Sequence, residues 1–423
     1  MENVIVPKEI NDGKTGLQNG IQHMRIRNGT VSCGNGSGLE DKDACRNDIG
    51  YCVKRKLSSS IYGSVYKGFI VKRKRKAIME GTYKNEGALD VIQEDDEWSI
   101  KKSSSSMSRD RDRDDDDSDN FVWEPMNKHV IIKTASWEKM RRLRGRHLED
   151  PLKEIQALQL LEGSTYGDGD HHPHIIRSLA ALQDDKYLYN ITPYAKDGDL
   201  CGIVMNDINS NSRMSETNAR RWFREILLAL QHFQLKGICH RNISLDNIVV
   251  SGDSLKIIDL GMALRVPYVH PSNVGCTTDV SDGTTRLLIK PQGQGDEFTY
   301  MSPEVLNDDA FDGFAIDLWS VGVILYIMLV GCKPFKWPHL TDEQFLRLAV
   351  DGTLKESLEY WEIDLSESAI DLLQNMLRLK KGERFTLAQV MHHPWVTNSK
   401  TSVNEDGRPS IRKGKKRWSF RKN

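Results

Sequence analysis

Helical periodicity is concentrated in the second half of this sequence, and strand-like patterning in the first. From residue 214 onward three long stretches, ETNARRWFREILLALQHFQLKG at 216–237, GFAIDLWSVGVILYIMLVG at 313–331 and SESAIDLLQNMLRL at 366–379, repeat apolar residues at the spacing of a helix. Upstream, YCVKRKLSSSIYGSVYKGFIV at 51–71 alternates about a break of Ser and Gly, which predicts strand, turn and strand, and HVIIK at 129–133 offers another strand. Between them and the helical half, DPLKEIQALQLLEG at 150–163 sets Leu152, Ile155, Leu158 and Leu161 at helix-compatible spacing, with Pro151 in the first turn and Gly163 at the end. KYLYNITPYAKDGDL at 186–200 reads as a strand running into a polar turn. A strand-rich part followed by a helix-rich part predicts an α+β protein of two lobes, with a cleft between them in which a ligand can sit.

Length and composition agree with that architecture. With 423 residues and 38% hydrophobic content the chain can bury a core in each lobe, and a formal net charge of −1 argues for neither nucleic acid nor a membrane surface as a partner. VGVILYIMLVG at 321–331 is too short to span a bilayer and reads as a buried core helix, so no transmembrane segment is expected. The first residues lack a basic stretch followed by an apolar run, so no secretory signal is read there. Seven cysteines (33, 45, 52, 201, 239, 276 and 332) are scattered without C-x-x-C spacing, which disfavours both a disulfide framework and a zinc site. A reducing compartment, cytoplasm or nucleus, is the expectation.

Residues 1–50, rich in Gly, Asn and Asp, are expected to be a mostly disordered leader. SSSSMSRDRDRDDDDSD at 103–119 lies in an acidic low-complexity insertion, about 72–127, expected to be a solvated excursion of a hairpin. KRKRK at 72–76 is open to two readings, a nuclear-localisation patch or a solvated continuation of the second strand. Residues 398–423 end in GRPSIRKGKKRWSFRKN, a basic tail that suits an acidic partner, a calmodulin-like protein or anionic lipid, or is simply solvated; Ser410 and Ser419 lie among its basic residues as candidate phosphorylation sites.

A series of short motifs then lines up, in order and spacing, with the eukaryotic protein kinase family of the Ser/Thr type. LSSSIYGSV at 57–65 stands where the family's Gly-rich loop crosses the ATP phosphates; VIIK ends on Lys133; LKEIQAL carries Glu154; HRNISLDN spans 240–247; IIDLGMA contains Asp259; YMSPEV spans 300–305. HHPWV at 392–396 closes the resemblance and is most similar to calcium/calmodulin-dependent-type kinases. The resemblance covers 51–397 and implies a first lobe of strands with one helix over 51–196 and a mainly helical second lobe over 197–397.

The resemblance implies ATP and Mg²⁺ as cofactors and a protein as substrate or regulated partner. It assigns Lys133 to the α- and β-phosphates with Glu154 as its carboxylate partner, and Asn247 and Asp259 to the metal, since Mg²⁺ takes hard oxygen ligands. Leu57, Ser58, Gly63, Val65, Ile131 and Val249 fall at nucleotide-contacting positions, Ile131 narrowing the space over the adenine, and Pro193 and Ala195 follow the gatekeeper Thr192 as backbone partners of the base. Glu304 is expected to pair with Arg384, and Asp317 to hold the catalytic loop from beneath. Five positions of the loops depart from the family. Ser58 and Ser60 replace the first two loop glycines. Asn242 stands where the family has the Asp that accepts the substrate proton, and an amide is no base near neutral pH. Ser244 replaces a charge-neutralising lysine, and Glu297 replaces a threonine of the substrate-binding loop. Asp246 is not expected to substitute as base. The catalytic set read from the sequence is therefore Lys133, Asn242, Asn247 and Asp259, with two functions open: a slow Ser/Thr kinase, or an ATP-binding pseudokinase acting on a partner.

Overall fold

The computed structural model describes residues 4–8, 27–32, 49–75, 121–162, 171–209, 213–267, 277–278, 285–295, 297–398, 402–403 and 409–410. The first lobe is built on β1 (Val4–Lys8), β2 (Arg27–Ser32), β3 (Ile49–Ser59), β4 (Gly63–Arg75), β5 (Phe121–Ser136), β6 (Ala180–Gln183) and β7 (Tyr187–Pro193). Strands β3, β4, β5, β7 and β6 lie side by side as an antiparallel sheet. β1 adds beside β3, and β2 closes the sheet by pairing antiparallel with β1 and parallel with β6. Period-two alternation sorts β5. Val130 and Ile132 enter the buried cluster of Tyr51, Leu182, Tyr189 and Ile191, which leaves Ile131 and Lys133 on the opposite face.

Two departures from the sequence expectation concern these strands. Of the 1–50 leader, expected to be mostly disordered, 4–8, 27–32 and 49–50 lie among the described residues, and these form β1, β2 and the first residues of β3; the rest lies outside them. VIVPK and RNGTVS carry little alternation of their own, and what orders them is the unpaired edges of β3 and β6 that they cover. The insertion, expected over 72–127, is also shorter at both ends. Arg73 pairs with Trp123 and Lys74 with Val122, so the hairpin runs on to Arg75 and resumes at Phe121, and Lys74 forms an ion pair with Glu124. Most of KRKRK is thus a continuation of the second strand, whereas 76–120 and most of the basic tail lie outside the described residues.

Two helices accompany the sheet where one was expected. α1 (Trp137–Leu143) follows β5 directly, capped by the Ser136 side chain, which accepts from the Lys139 N–H. α2 (Pro151–Glu162) starts with Pro151 and is capped by Asp150, whose Oδ1 accepts from the Leu152 N–H at 2.9 Å. Its Ile155 packs with Tyr62, Ala135 and Leu188 under the sheet, while Leu158 and Leu161 join the core of the second lobe.

That second core forms around α6. The lobe contains α3 (Leu200–Asn209), α4 (Glu216–Leu235), the short strands β8 (Ile238–Cys239), β9 (Ile248–Ser251), β10 (Ser254–Ile257) and β11 (Leu264–Arg265), α5 (Pro303–Leu306) and α6 (Gly313–Val330). Then come α7 (Glu343–Phe345), α8 (Leu354–Tyr360), α9 (Glu367–Met376), α10 (Leu387–His392) and α11 (Pro394–Thr397). α6 ends at Gly331, whose φ of 83° is the left-handed conformation that closes a helix without a Cβ penalty. Among the described residues it is the helix long and apolar enough to cross a membrane, and 89% of it is packed inside the lobe between α4 and α9. It is a core helix, as its sequence predicts.

A buried ion pair ties α5 to this core. Arg384 Nη1 and Nη2 donate to the two carboxylate oxygens of Glu304 at 2.7 and 2.8 Å, and the guanidinium lies 4.6 Å over the ring of Trp319 on α6. Both side chains are nearly inaccessible, so removing one partner leaves a buried charge without compensation. Arg384→Met is expected to lower the unfolding free energy by about 3–5 kcal/mol, read by urea denaturation. A loss below about 1 kcal/mol would contradict the pair's role in anchoring α5.

Candidate nucleotide and phosphotransfer site

Three segments meet at one ammonium. Lys133 on β5 lies 2.9 Å from Glu154 Oε2 on α2 and 2.8 Å from Asp259 Oδ1 in the segment after β10. Burial alone would pull the Lys133 pKa down, but the two carboxylates outweigh it and hold the group above its ordinary value, firmly protonated. Asp259 answers in kind: burial would raise it, and the Lys133 ammonium brings it below the usual aspartate value. Glu154, the more enclosed of the two carboxylates, is raised, burial and Asp259 outweighing the help of Lys133. Asp259 has φ +65°, left-handed for a residue with a Cβ, a strain that surrounding contacts must impose.

The same contacts fix α2. The Asp150 N–H donates to the Gly261 carbonyl at 2.9 Å, so the residue that caps α2 is bonded to the segment that carries Asp259. Tyr62, at the tip between β3 and β4, turns inward and donates from its hydroxyl to the Glu149 carbonyl at 2.8 Å. A cavity lies among Ser60, Tyr62, Lys133, Glu154 and Gly261.

The loop between β8 and β9 is organised from below by Asp317 of α6, whose carboxylate accepts the His240 N–H at 2.7 Å and the Arg241 N–H at 2.8 Å. Burial pushes Asp317 up to about 7 despite these two donors. His240 is fully buried. Its Nδ1 accepts from the Asn242 N–H at 3.2 Å, which leaves Nε2 to donate to the Ile258 carbonyl at 3.0 Å. The ring is thus neutral with its proton on Nε2, and burial lowers its pKa to about 4. Asn242 and Asn247 complete the loop: Asn247 Nδ2 donates to the Asn242 carbonyl at 2.9 Å. With its amide nitrogen engaged, Asn247 has its oxygen left for a cation.

The donor set suits Mg²⁺ and a nucleotide triphosphate. Asn247 and Asp259 offer hard oxygens, and Lys133 offers a cation for phosphate. Val65, Ile131 and Pro193 on the sheet and Val249 on β9 are each half-buried, and Leu57 is 42% exposed at the rim. Ile131 pairs across the sheet with Thr192. β7 ends at Pro193, so the Ala195 N–H lies beyond the strand ladder. Ser58 pairs with Val65 within the hairpin. The loop offers phosphates less than a run of glycines would. The Ser60 N–H donates to the Gly63 carbonyl at 3.0 Å and the Gly63 N–H to Ser60 Oγ at 3.1 Å, so both amides are spent inside the turn. Gly63 is required for another reason, since a Cβ there would lie 2.0 Å from the Thr134 carbonyl of β5.

In this arrangement the lysine of a sheet lobe is clamped by a helix glutamate and by the aspartate of the opposite lobe. A family model for the protein kinase domain matches residues 122–396, more than half of the chain, and the chain belongs to that family. The match starts within β5, so the β3–β4 hairpin with its altered loop precedes it. Among curated relatives, the serine/threonine-protein kinase kin-29 of Caenorhabditis elegans is 27% identical over 281 residues, 66% of this chain and 29% of its own length. Ribosomal protein S6 kinase alpha-6 of Mus musculus is 30% identical over 64% of this chain and 32% of its own, and human serine/threonine-protein kinase DCLK3 is 29% identical over 55% and 33%. The chain is therefore similar to eukaryotic Ser/Thr protein kinases, and it spans about a third or less of the length of these relatives.

Sequence reasoning missed Tyr62 and Asp150, although D-P ahead of an apolar helix pattern is a start signal. The neutral His240 ring gives a direct check. Its contribution to stability is present above its unfolded pKa of about 6.5 and is lost as pH falls toward 4, amounting to about 3 kcal/mol. Asp317, raised to about 7, takes up a proton in the folded state over much of the same window and acts in the opposite sense. The ring itself is thus the cleaner readout. Two-bond ¹H–¹⁵N correlation is expected to show the Nε2–H tautomer unchanged from about pH 7 to about pH 5, and protonation in that interval would contradict the hydrogen-bond assignment.

Proposed function

We propose that this chain is a protein serine/threonine kinase that binds Mg-ATP and transfers the γ-phosphate to a protein hydroxyl, at a rate reduced by Asn242 and Ser244. The observation that carries the reading is Lys133 bridging Glu154 and Asp259, since these groups must converge for a nucleotide to be held in the cleft. ATP supplies the phosphoryl group and Mg²⁺ neutralises its charge. Lys133 would hold the α- and β-phosphates, and Asn247 and Asp259 the metal. Asn242 can orient a hydroxyl through its amide but cannot accept its proton, a function worth about 10²–10⁴-fold in rate. Ser244 contributes no cation to the transition state. A second reading, a nucleotide-binding pseudokinase that regulates a partner by lobe closure, is favoured by Asn242 and by the turn in which Ser60 consumes the loop amides.

The two readings agree on nucleotide binding and divide on transfer. Saturating Mg-ATP at about 100 Kd is expected to stabilise the folded protein by about 2.7 kcal/mol, and Lys133→Met is expected to remove most of that gain in a thermal-denaturation assay. Radiolabelled transfer to a generic basic protein that is present in the wild type and lost in Lys133→Met supports the kinase reading. Stabilisation by Mg-ATP without any transfer supports the pseudokinase.

A further inference from the structure

The catalytic loop of this chain lacks a carboxylate where its family keeps one, yet the space beside Asn242 does not lack a carboxylate. One cavity is lined by Arg241, Asn242, Met262, Glu297, Tyr300 and Asp317, among others. Of its two carboxylates, Asp317 is committed to the His240 and Arg241 amides. Glu297 instead lies beside the Ser244 hydroxyl and within the field of the Lys333 ammonium. The turn that carries it is closed by the Tyr300 N–H donating to the Glu297 carbonyl at 3.3 Å, and the Tyr300 carbonyl accepts from Ser320 Oγ of α6 at 2.8 Å, so the carboxylate hangs from a segment fastened to the core. Across from it is the loop residue Ser244, 1% exposed, whose Oγ has no hydrogen bond of normal geometry.

We propose that Glu297 is the proton acceptor for the substrate hydroxyl, the carboxylate of the reaction having moved from the catalytic loop to the facing substrate-binding loop. The inference rests on the kinase reading above and supplies the group that reading lacks. The substrate hydroxyl passes its proton to the Glu297 carboxylate as its oxygen bonds to the γ-phosphorus. The bond from that phosphorus to the β–γ bridging oxygen breaks, the electron pair leaves with ADP, and Glu297 returns the proton to water. Asn242 then orients the hydroxyl, and Ser244, a small residue in place of a long cation, leaves the carboxylate room and no competing ion pair.

The surroundings of Glu297 suit a base. Glu297 is exposed at the rim of the cavity, yet desolvation of its carboxylate by the surrounding protein raises its pKa above the ordinary glutamate value, the Asp246 carboxylate raises it further, and the Ser244 hydroxyl and the Lys333 ammonium draw it back; the Tyr300 phenol and the Cys201 thiol also lie close to it. Asp246, within the loop itself, is exposed as Glu297 is, but it engages the Cys201 thiol.

Glu297→Gln separates the possibilities in steady-state kinetics on a serine peptide, with Mg-ATP stabilisation measured in parallel. The expected result is a fall in kcat of about 10²–10⁴-fold with the peptide KM and the Mg-ATP stabilisation unchanged. The acidic limb of the wild-type pH–rate profile is expected to disappear, and to coincide with the titration of the Glu297 carboxyl followed by ¹³C NMR in the nucleotide-free wild type. Asn242→Asp in the Glu297→Gln background is expected to recover at least about 10-fold in kcat by returning a carboxylate to the loop. An unchanged kcat in Glu297→Gln, or a raised KM at unchanged kcat, overturns the proposal and leaves the kinase reading standing; the latter would make Glu297 a selector of basic substrates. Absence of transfer in the wild type and in every variant overturns the kinase reading and the proposal with it.

Discussion

One ammonium between two carboxylates holds this structure in its working form. Lys133 comes from the sheet, Glu154 from the helix beneath it and Asp259 from the facing lobe, so no two of these elements can shift without leaving a largely enclosed charge unpaired. The cost of that unpairing, several kcal/mol for a desolvated ion, is what makes the contact a constraint rather than an ornament. Asp150 reinforces it by capping α2 while its own amide is bonded to Gly261, which makes the start of the helix and the Asp259 segment a single unit. The left-handed backbone of Asp259 is tolerated because both flanks are fixed, Gly261 by the Asp150 N–H and Ile258 by its bonds to Asn247 and His240.

The molecule separates scaffold from chemistry. The residues that hold the second lobe together are of the types the family resemblance expects: Asp317 under the catalytic loop, the Glu304–Arg384 pair and the apolar helix α6. The residues that would move a proton or neutralise a phosphoryl group are the altered ones, Asn242, Ser244 and Glu297. A loop kept in shape by a buried histidine and a buried aspartate can lose its base without losing its conformation. Substitution there redistributes charge within a preserved frame, and the neutral Asn242 sharing a cavity with the acidic Glu297 is one such redistribution.

The long helices were legible because each carries its own signal. α4 and α9 have a clear apolar face, α6 is apolar on all sides, Ser caps α4 and α9, and Gly331 closes α6. The Lys133–Glu154 contact was legible too, since a strand lysine and a following helix glutamate fix each other's meaning. β1 and β2 were not, because their order comes from the edges of β3 and β6 rather than from their own residues. The length of β4 and β5 was hidden for a related reason: Lys72 to Arg75 look like solvated charge, and it is the cross-strand partners from Phe121 to Glu124 that make them strand. Gly63 was read for its approach to phosphate, whereas the nearest demand on it is the Thr134 carbonyl. That Glu297 lies near Asn242 was legible through the family resemblance alone, while the cavity they share is a product of tertiary folding.

The central claim is that Lys133, Asn247 and Asp259 form one site for a metal-bound nucleotide. Titration calorimetry of the full chain with ATP, in excess Mg²⁺ and again in EDTA, tests it most directly, with Asp259→Asn as the comparison. The account predicts saturable binding at one site in the wild type that weakens when the metal is removed, and a loss of that metal dependence in Asp259→Asn. Equal affinity with and without Mg²⁺ in the wild type, or no heat at all from folded protein, would contradict it.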